Sequence, residues 1–197
     1  HAAVGGRDAL AALRARAIAF ERVTAPHGGV RLPLRLVGKL HGVHVHSALP
    51  PEQAKEAPWD IIDGRLLLAL DDYCALLQRH HIVEVVHFTI HRPAATPTDA
   101  PQLRHAGALA IDVGALRKDD GTWLRPKEDW PSSIGSLTCG KGAKRVVGAK
   151  GRELQSLVCE AHDLGLFHFE LTPHYDWPHR DHLHLEVTPG ARWLSVD

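Results

Sequence analysis

Ten residues near the C-terminus constrain this chain more than any others: Pro178-His179-Arg180-Asp181-His182-Leu183-His184-Leu185-Glu186-Val187. They crowd three imidazoles and two acids into a segment whose second half alternates polar and apolar. In an extended strand successive side chains point to opposite faces. His182 and His184 therefore share one face, while Leu183, Leu185 and Val187 turn into a core. Two neutral imidazoles on one face of a rigid strand are a ready donor set for a transition metal. Such a strand needs a sheet to lie in, and such a pair needs further ligands from elsewhere in the chain.

The rest of the sequence supplies both. With 197 residues, 44% of them hydrophobic and 23% charged, the chain has the length and composition of one globular domain. We read it as a single domain, with an N-terminal helix, hairpin and helix over 1–81 and a core over 82–190. Helical spacing of Leu10, Leu13, Ala17 and Phe20 predicts a helix from an Asp8 cap to about Arg22, broken at Pro26-His27-Gly28-Gly29. Near-alternation from Val30 to Leu49 predicts a hairpin turning at Gly38-Lys39, and Pro50-Pro51 and Pro58 mark a loop. Gly64–His80 reads as a Leu-rich helix and Ile82–Arg92 as a strand. A proline-rich loop follows over Pro93–Leu103, then a strand over Ala108–Val113 and a turn at Lys118–Gly121 into Thr122-Trp123-Leu124. Lys127–Lys150 is an irregular insertion whose Gly140-Lys141-Gly142-Ala143-Lys144 lacks the spacing of a phosphate loop. Arg152–Leu164 is an amphipathic helix stopped by Gly165, and Phe167–Leu171 and Asp181–Val187 are the last strands. The expected class is α+β, a central antiparallel sheet with flanking helices.

A second cluster precedes the C-terminal one: His105-Ala-Gly-Ala-Leu-Ala-Ile-Asp112. On a strand, Ala108, Ala110 and Asp112 share a face. The odd separation leaves His105 out of phase, so it must approach from the loop end. An Asp between Ile111 and Val113 needs a partner, because a lone buried carboxylate is costly. A metal would meet that need; a hydrogen-bonded His–Asp network without metal is the competing reading.

His105…Asp112 with His182-Leu-His184 resembles the HxxxxxxD…HxH zinc signature of the lysostaphin, D-Ala-D-Ala carboxypeptidase and hedgehog-type metallopeptidases. Within that group, Arg104-His105 through Asp112-Val-Gly, then Asp120-Gly121-Thr-Trp123, then Leu171-Thr-Pro173 through His184-Leu, look like bacterial extensin-like C-terminal domains. The likeness covers about Ile82 to Val187. The spacing His179-xx-His182-x-His184 is also similar to that of penicillin-insensitive murein endopeptidases. The resemblance implies a zinc groove on a hedgehog or D-Ala-D-Ala peptidase-like fold, with Zn²⁺ on His105, Asp112 and His184 and a position left for water. Three N/O ligands with an open fourth position describe a catalytic zinc. By the same resemblance His182 stands beside the metal without binding it, and Arg92 polarises a substrate carbonyl or holds a carboxylate. Hedgehog-like members carry a Glu base six residues before the last ligand, where this chain has Pro178. His179 is the expected base, with Asp176 and Asp181 as rivals. The chain also departs from the family at Leu103, where Ser is frequent, and at Ala108, where Gly is usual. The implied activity is a zinc peptidase of the carboxypeptidase or endopeptidase kind on peptidoglycan peptides, outside the cytoplasm. A zinc-containing cell-wall binding or sensor module on the same fold is the alternative.

Several classes are disfavoured. Lys plus Arg equals Asp plus Glu at 23 each, so no global field favours nucleic acid. No apolar run approaches the roughly 20 residues that span a bilayer. The chain starts at His1 without an initiating Met and reads as a processed or trimmed product. Cys74, Cys139 and Cys159 form no CxxC pair; Cys139 and Cys159 are candidates for a disulfide stapling the insertion to the following helix, with Cys74 buried and free. His44 and His46 share a strand face as a second HxH, His80-His81 end a helix, and His168 and His174 flank the last strands; all are expected to be structural. Trp59, Trp123, Trp130 and Trp193 are assigned to core or lid, and Trp177 to the groove wall.

Overall fold

The computed structural model describes residues 1, 4–24, 29–93 and 104–197. The proline-rich loop after Pro93, the expected break at Pro26-His27-Gly28 and Leu103 therefore lie outside the described residues. Helix α1 (Gly6–Ala15) is shorter than its apolar spacing suggests. Ala17 takes a left-handed φ of 55°, and the N–H groups of Ala17 and Ile18 turn back to the carbonyls of Arg14 and Leu13. That double bond pattern closes the helix, so Phe20–Arg22 becomes strand β1 instead of a last turn. Asp8 lies in the first turn, behind an N-cap at Gly5.

The expected hairpin over Val30–Leu49 divides between two sheets. Strand β2 (Pro33–Leu36) pairs with β1 and with β5 (Ile62–Asp63) in a small three-stranded sheet. The true hairpin joins β3 (Lys39–Leu40) to β4 (Val43–Ser47). Its turn is His41-Gly42, not Gly38-Lys39, because both residues hold the positive φ (49° and 81°) that a tight two-residue connection demands. The expected proline loop contains helix α2 (Pro51–Glu56) and a 3-10 turn at Pro58–Asp60. Helix α3 (Gly64–Arg79) starts where Asp63 accepts the Arg65 N–H, and buries most of its length.

The main sheet has eight strands among the described residues, with β6 (Ile82–Thr89) and β7 (Ala110–Lys118) at its centre. Strand β7 continues into β8 (Trp123–Leu124) through the turn at Lys118–Gly121, and pairs on its other reach with β10 (Leu183–Glu186). Strands β9 (Phe169–Leu171) and β11 (Ser195–Val196) complete that side. The class is mixed α and β as expected, but the sheet is not wholly antiparallel: β4 runs parallel to β6, and β11 parallel to β9. The β4–β6 pair is joined through α3, and a parallel pair needs such a crossover. Strand β6 ends at Thr89, so Arg92 lies beyond it. Ala108 is outside the strand altogether, with a φ of 53°.

Helices α3 and α5 (Ala149–Asp163) pack together and against the sheet, and one buried cluster runs from Ala9 to Val187, including Leu183, Leu185 and Val187. The irregular stretch between α4 (Pro126–Asp129) and α5 is fastened twice. Cys139 and Cys159 form the expected disulfide, leaving Cys74 buried and free. The Gln155 amide also donates to the carbonyls of Thr138 and Lys144 and accepts from Val146 N–H. No helix among the described residues is long and apolar enough to cross a membrane.

Glu170 of β9 is fully buried, and neither carboxylate oxygen has a hydrogen-bond partner. His162 Nδ1, at 3.8 Å, is too far to donate. Burial, with Asp163 adding repulsion, pushes the carboxyl up from 4.5 to about 9, so it is protonated at neutral pH. The folded chain holds a proton that the unfolded chain releases. This contribution to stability is whole below pH 4.5 and is lost as pH rises to about 9. Glu170→Gln is expected to remove that loss. Its advantage over the parent should grow by up to about 1.4 kcal/mol per pH unit across the window, read as denaturation midpoints on either side of neutrality.

Candidate metal centre

The C-terminal strand and the strand carrying Asp112 meet in register. In the antiparallel β7–β10 pair His184 lies directly opposite Asp112, with Leu183 and Leu185 opposite Val113 and Ile111. The apolar residues of both strands are buried, which turns His184 and Asp112 together to the opposite face. His105 arrives as expected from the loop end. It sits in a tight turn whose Arg104 and Ala108 both have positive φ, and the Ala108 and Leu109 N–H groups bond back to His105 and Arg104. The usual Gly at position 108 has a physical reason in this turn, since a left-handed residue without Cβ is unstrained.

Three donor atoms converge. His105 Nε2, Asp112 Oδ1 and His184 Nδ1 are mutually 3.0–3.2 Å apart. Ligands held tetrahedrally at zinc distances of about 2.0–2.1 Å lie about 3.3 Å from one another, so the triangle matches a metal's first coordination sphere. The tautomers agree. His105 Nδ1–H donates to the Ile90 carbonyl at 2.9 Å, and His184 Nε2–H to Glu186 Oε2 at 3.3 Å. Each neutral ring then aims its lone pair at the same point as the Asp112 oxygen, an arrangement that repels itself unless a cation stands there. The three residues are therefore a group able to hold a metal ion.

The electrostatics point the same way. Burial alone would raise the Asp112 pKa; with no cation between them, protonated His105 and His184 rings donate to the carboxylate in its place and, with the charge of His182, hold it far below the ordinary carboxylate range. Burial would lower that of His184, yet Asp112 and Glu186 carry it upward. The second Asp112 oxygen accepts from Arg92 Nη2 at 3.0 Å. Arg92 thus comes to the site, where it pairs with Asp112.

The other expected residues gather around the trio. His182 Nε2 stands 3.4 Å from Asp112 Oδ1 while its Nδ1 is held by Asp181 at 2.8 Å. The His179 ring is 5.2 Å from that of His182 and 5.7 Å from that of His184, with its Nδ1 against Asp176 at 2.5 Å. Asp176 and Asp181, offered as rivals for the base, lie behind imidazoles. Burial, partly offset by Asp176, lowers the His179 pKa. Tyr175 and Trp177 are exposed beside His179, with the Arg180 guanidinium over Trp177. Across the site the exposed Phe88 ring meets His182 edge-on, and a Cβ on Gly114 would come within 2.5 Å of Phe88. The bare glycine lets the ring lie across the strand.

Other histidines have structural partners. His174 is buried against Trp130 and accepts the Ser133 N–H; His168 accepts that of Thr188. His80 pairs with Glu160 and His81 with Asp119. Sequence reasoning gave no role to Glu186, which receives His184 on one oxygen and Thr188 Oγ1 on the other, with Arg104 Nε at 3.5 Å. Its signal was present: an acid two residues past His184 lies on the same strand face. Glu186→Gln should keep the fold and weaken zinc binding about ten- to a hundredfold in calorimetric titration, whereas Glu52→Gln on the exposed face of α2 should change nothing.

No curated protein and no solved structure matches the chain. A family described as Extensin-like protein C-terminus matches residues 75–194. That segment holds His105, Asp112, His179, His182 and His184 and spans more than half of the sequence. The chain belongs to the extensin-like C-terminal family.

Proposed function

We propose that this protein is a zinc peptidase that hydrolyses amide bonds in the peptide part of bacterial peptidoglycan. The observation that carries the reading is the convergence of His105 Nε2, Asp112 Oδ1 and His184 Nδ1, each lone pair directed by a partner behind it. Zn²⁺ in that triangle would supply a Lewis acid and bring the pKa of water to about 7. The peptidoglycan substrate rests on the likeness of the HxxxxxxD…HxH pattern to wall-cleaving metallopeptidases. A place outside the cytoplasm is supported by that substrate and by the Cys139–Cys159 bond, since disulfides persist in oxidising compartments.

The remaining side chains divide the work. His179, its Nδ1 held by Asp176 and its neutral form favoured by burial, takes a proton from the attacking water on Nε2. As the carbon–oxygen bond forms and the carbon–nitrogen bond breaks, the same imidazole returns that proton to the leaving amine. In its imidazolium form His182, fixed through Nδ1–H by Asp181, donates Nε2–H to the oxyanion that develops on the carbonyl oxygen. Arg92 pairs with the second Asp112 oxygen and adds positive charge at the rim. Phe88 on one side and Tyr175 and Trp177 on the other offer apolar walls to a peptide.

His184→Ala is expected to lose zinc and turnover together. His179→Ala should keep zinc and lose about a hundredfold or more in kcat on muropeptides. If the zinc-loaded parent leaves muropeptides and D-amino-acid dipeptides untouched, the peptidase reading falls. Full zinc occupancy with wall binding and no turnover would make the chain a non-catalytic binding or sensor module.

A further inference from the structure

Hydrogen bonds link the Cys139–Cys159 bond to the segment that carries the expected base. Between α4 and α5 the stretch 131–148 contains neither helix nor strand, so its shape depends on what fastens it. On one side it is held by α5: Cys139 is bonded to Cys159, and the Gln155 amide donates to the carbonyls of Thr138 and Lys144. On the other side it grips residues 172–174, which lead from β9 to Asp176.

That grip is made of three hydrogen bonds. Gly135 N–H donates to the His174 carbonyl at 2.8 Å, and Ser133 N–H to His174 Nδ1 at 3.1 Å. The Thr172 hydroxyl donates to the Asp197 carbonyl at 2.9 Å and accepts the His174 N–H at 3.2 Å. Its own hydrogen is thereby used, so the Thr138 hydroxyl, 2.8 Å away, is the donor to it. Thr138, Thr172 and His174 are all buried, and withdrawing the stretch would leave their polar atoms without partners. The stretch and the segment are therefore coupled. The segment in turn sets the base. Tyr175 N–H returns to the Thr172 carbonyl at 2.9 Å, and the next residue, Asp176, receives His179 N–H at 3.0 Å and His179 Nδ1–H at 2.5 Å. The candidate metal ligands are held by other means, Asp112 and His184 in the β7–β10 ladder and His105 in its own turn.

We propose that Cys139–Cys159 is a redox-sensitive clasp on that base. While the bond is intact, the stretch braces residues 172–176 and Asp176 orients His179. When it opens, the stretch keeps only its hydrogen bonds, the brace slackens, and His179 loses its orientation while the metal ligands stay. Both cysteines are half-buried and within reach of an attacking thiolate, whereas the free Cys74 is fully buried. The reductant is a dithiol. One of its thiolates attacks a sulfur of the pair, which breaks the S–S bond and forms a mixed disulfide; its second thiol then displaces that sulfur. Two electrons and two protons pass to Cys139 and Cys159, and the dithiol leaves as a disulfide. The effect on turnover rests on the peptidase reading; the clasp itself does not.

The test is amide hydrogen exchange by NMR on the full zinc-free chain, oxidised and then reduced with dithiothreitol. Reduction should speed exchange at Gly135, Tyr175 and His179 by about tenfold or more and leave Val113 and Leu185, in the main sheet, unmoved. In the zinc-loaded protein the double variant Cys139→Ser/Cys159→Ser should lose about tenfold or more in kcat on muropeptides, with KM and zinc affinity unchanged. Thr138→Val, which keeps the disulfide but removes its link to Thr172, should lower kcat in the same way, and the reduced parent serves if the double variant does not fold. Unchanged exchange at Tyr175 and His179 overturns the proposal. An equal rise at Val113 and Leu185 also overturns it, since the bond would then be a staple of the whole fold. Faster exchange with unchanged kcat in an active enzyme does so too. If neither the oxidised nor the reduced protein turns over muropeptides, the peptidase reading falls and exchange alone decides the clasp.

Discussion

The centre depends on the register of one strand pair. With His184 facing Asp112, two donors come together on a rigid sheet and the leucines between them go to the core. A slip of one residue would turn Leu183 or Leu185 to the site and bury His184 among apolar side chains, at the cost of both core and donors. The burial of Leu183, Leu185, Ile111 and Val113 thus fixes the face on which Asp112 and His184 stand. Around that pair every imidazole is tied by an acceptor on its far side. His105 has the Ile90 carbonyl, His184 has Glu186, His182 has Asp181 and His179 has Asp176. Four rings so fixed lose little freedom when a cation or a reacting group arrives.

Much of this was legible in the sequence because alternation is a strong signal. The facing of His182 and His184, the core role of Leu183, Leu185 and Val187, and the out-of-phase approach of His105 all follow from the two-residue period. Helix α3 and the turn into β8 were legible for the same local reason. What local pattern could not show was partnership between distant segments. Leu32, Leu34 and Leu36 alternate as well as Val43 and Val45, and nothing in that alternation says that they join different sheets. The end of α1 was hidden because Ala17, an ordinary helix former, takes a left-handed conformation fixed by bonds to Arg14 and Leu13. Glu186 went without a role because acids on a strand are common, and only three-dimensional contact shows which one meets a ligand.

The N-terminal third gains a purpose from the same view. It does more than extend the sheet through β4, since the 3-10 turn at Pro58–Asp60 also packs on β6. It supplies the carbonyl of Trp59 that fixes Ile90, and through Ile90 it steadies His105. The part of the chain outside the matched family is therefore in mechanical contact with the part inside it.

The three donors differ in how they are held. Asp112 and His184 belong to a paired ladder and are in position once the sheet has formed. His105 belongs to a turn between two left-handed residues, Arg104 and Ala108, which is tied to its surroundings by bonds to Ile90, His91, Arg92 and Asp63 and not by a strand ladder. A substitution in that turn would therefore move one donor of the three and leave the Asp112–His184 pair in place, whereas a change of strand register would displace both of the others at once.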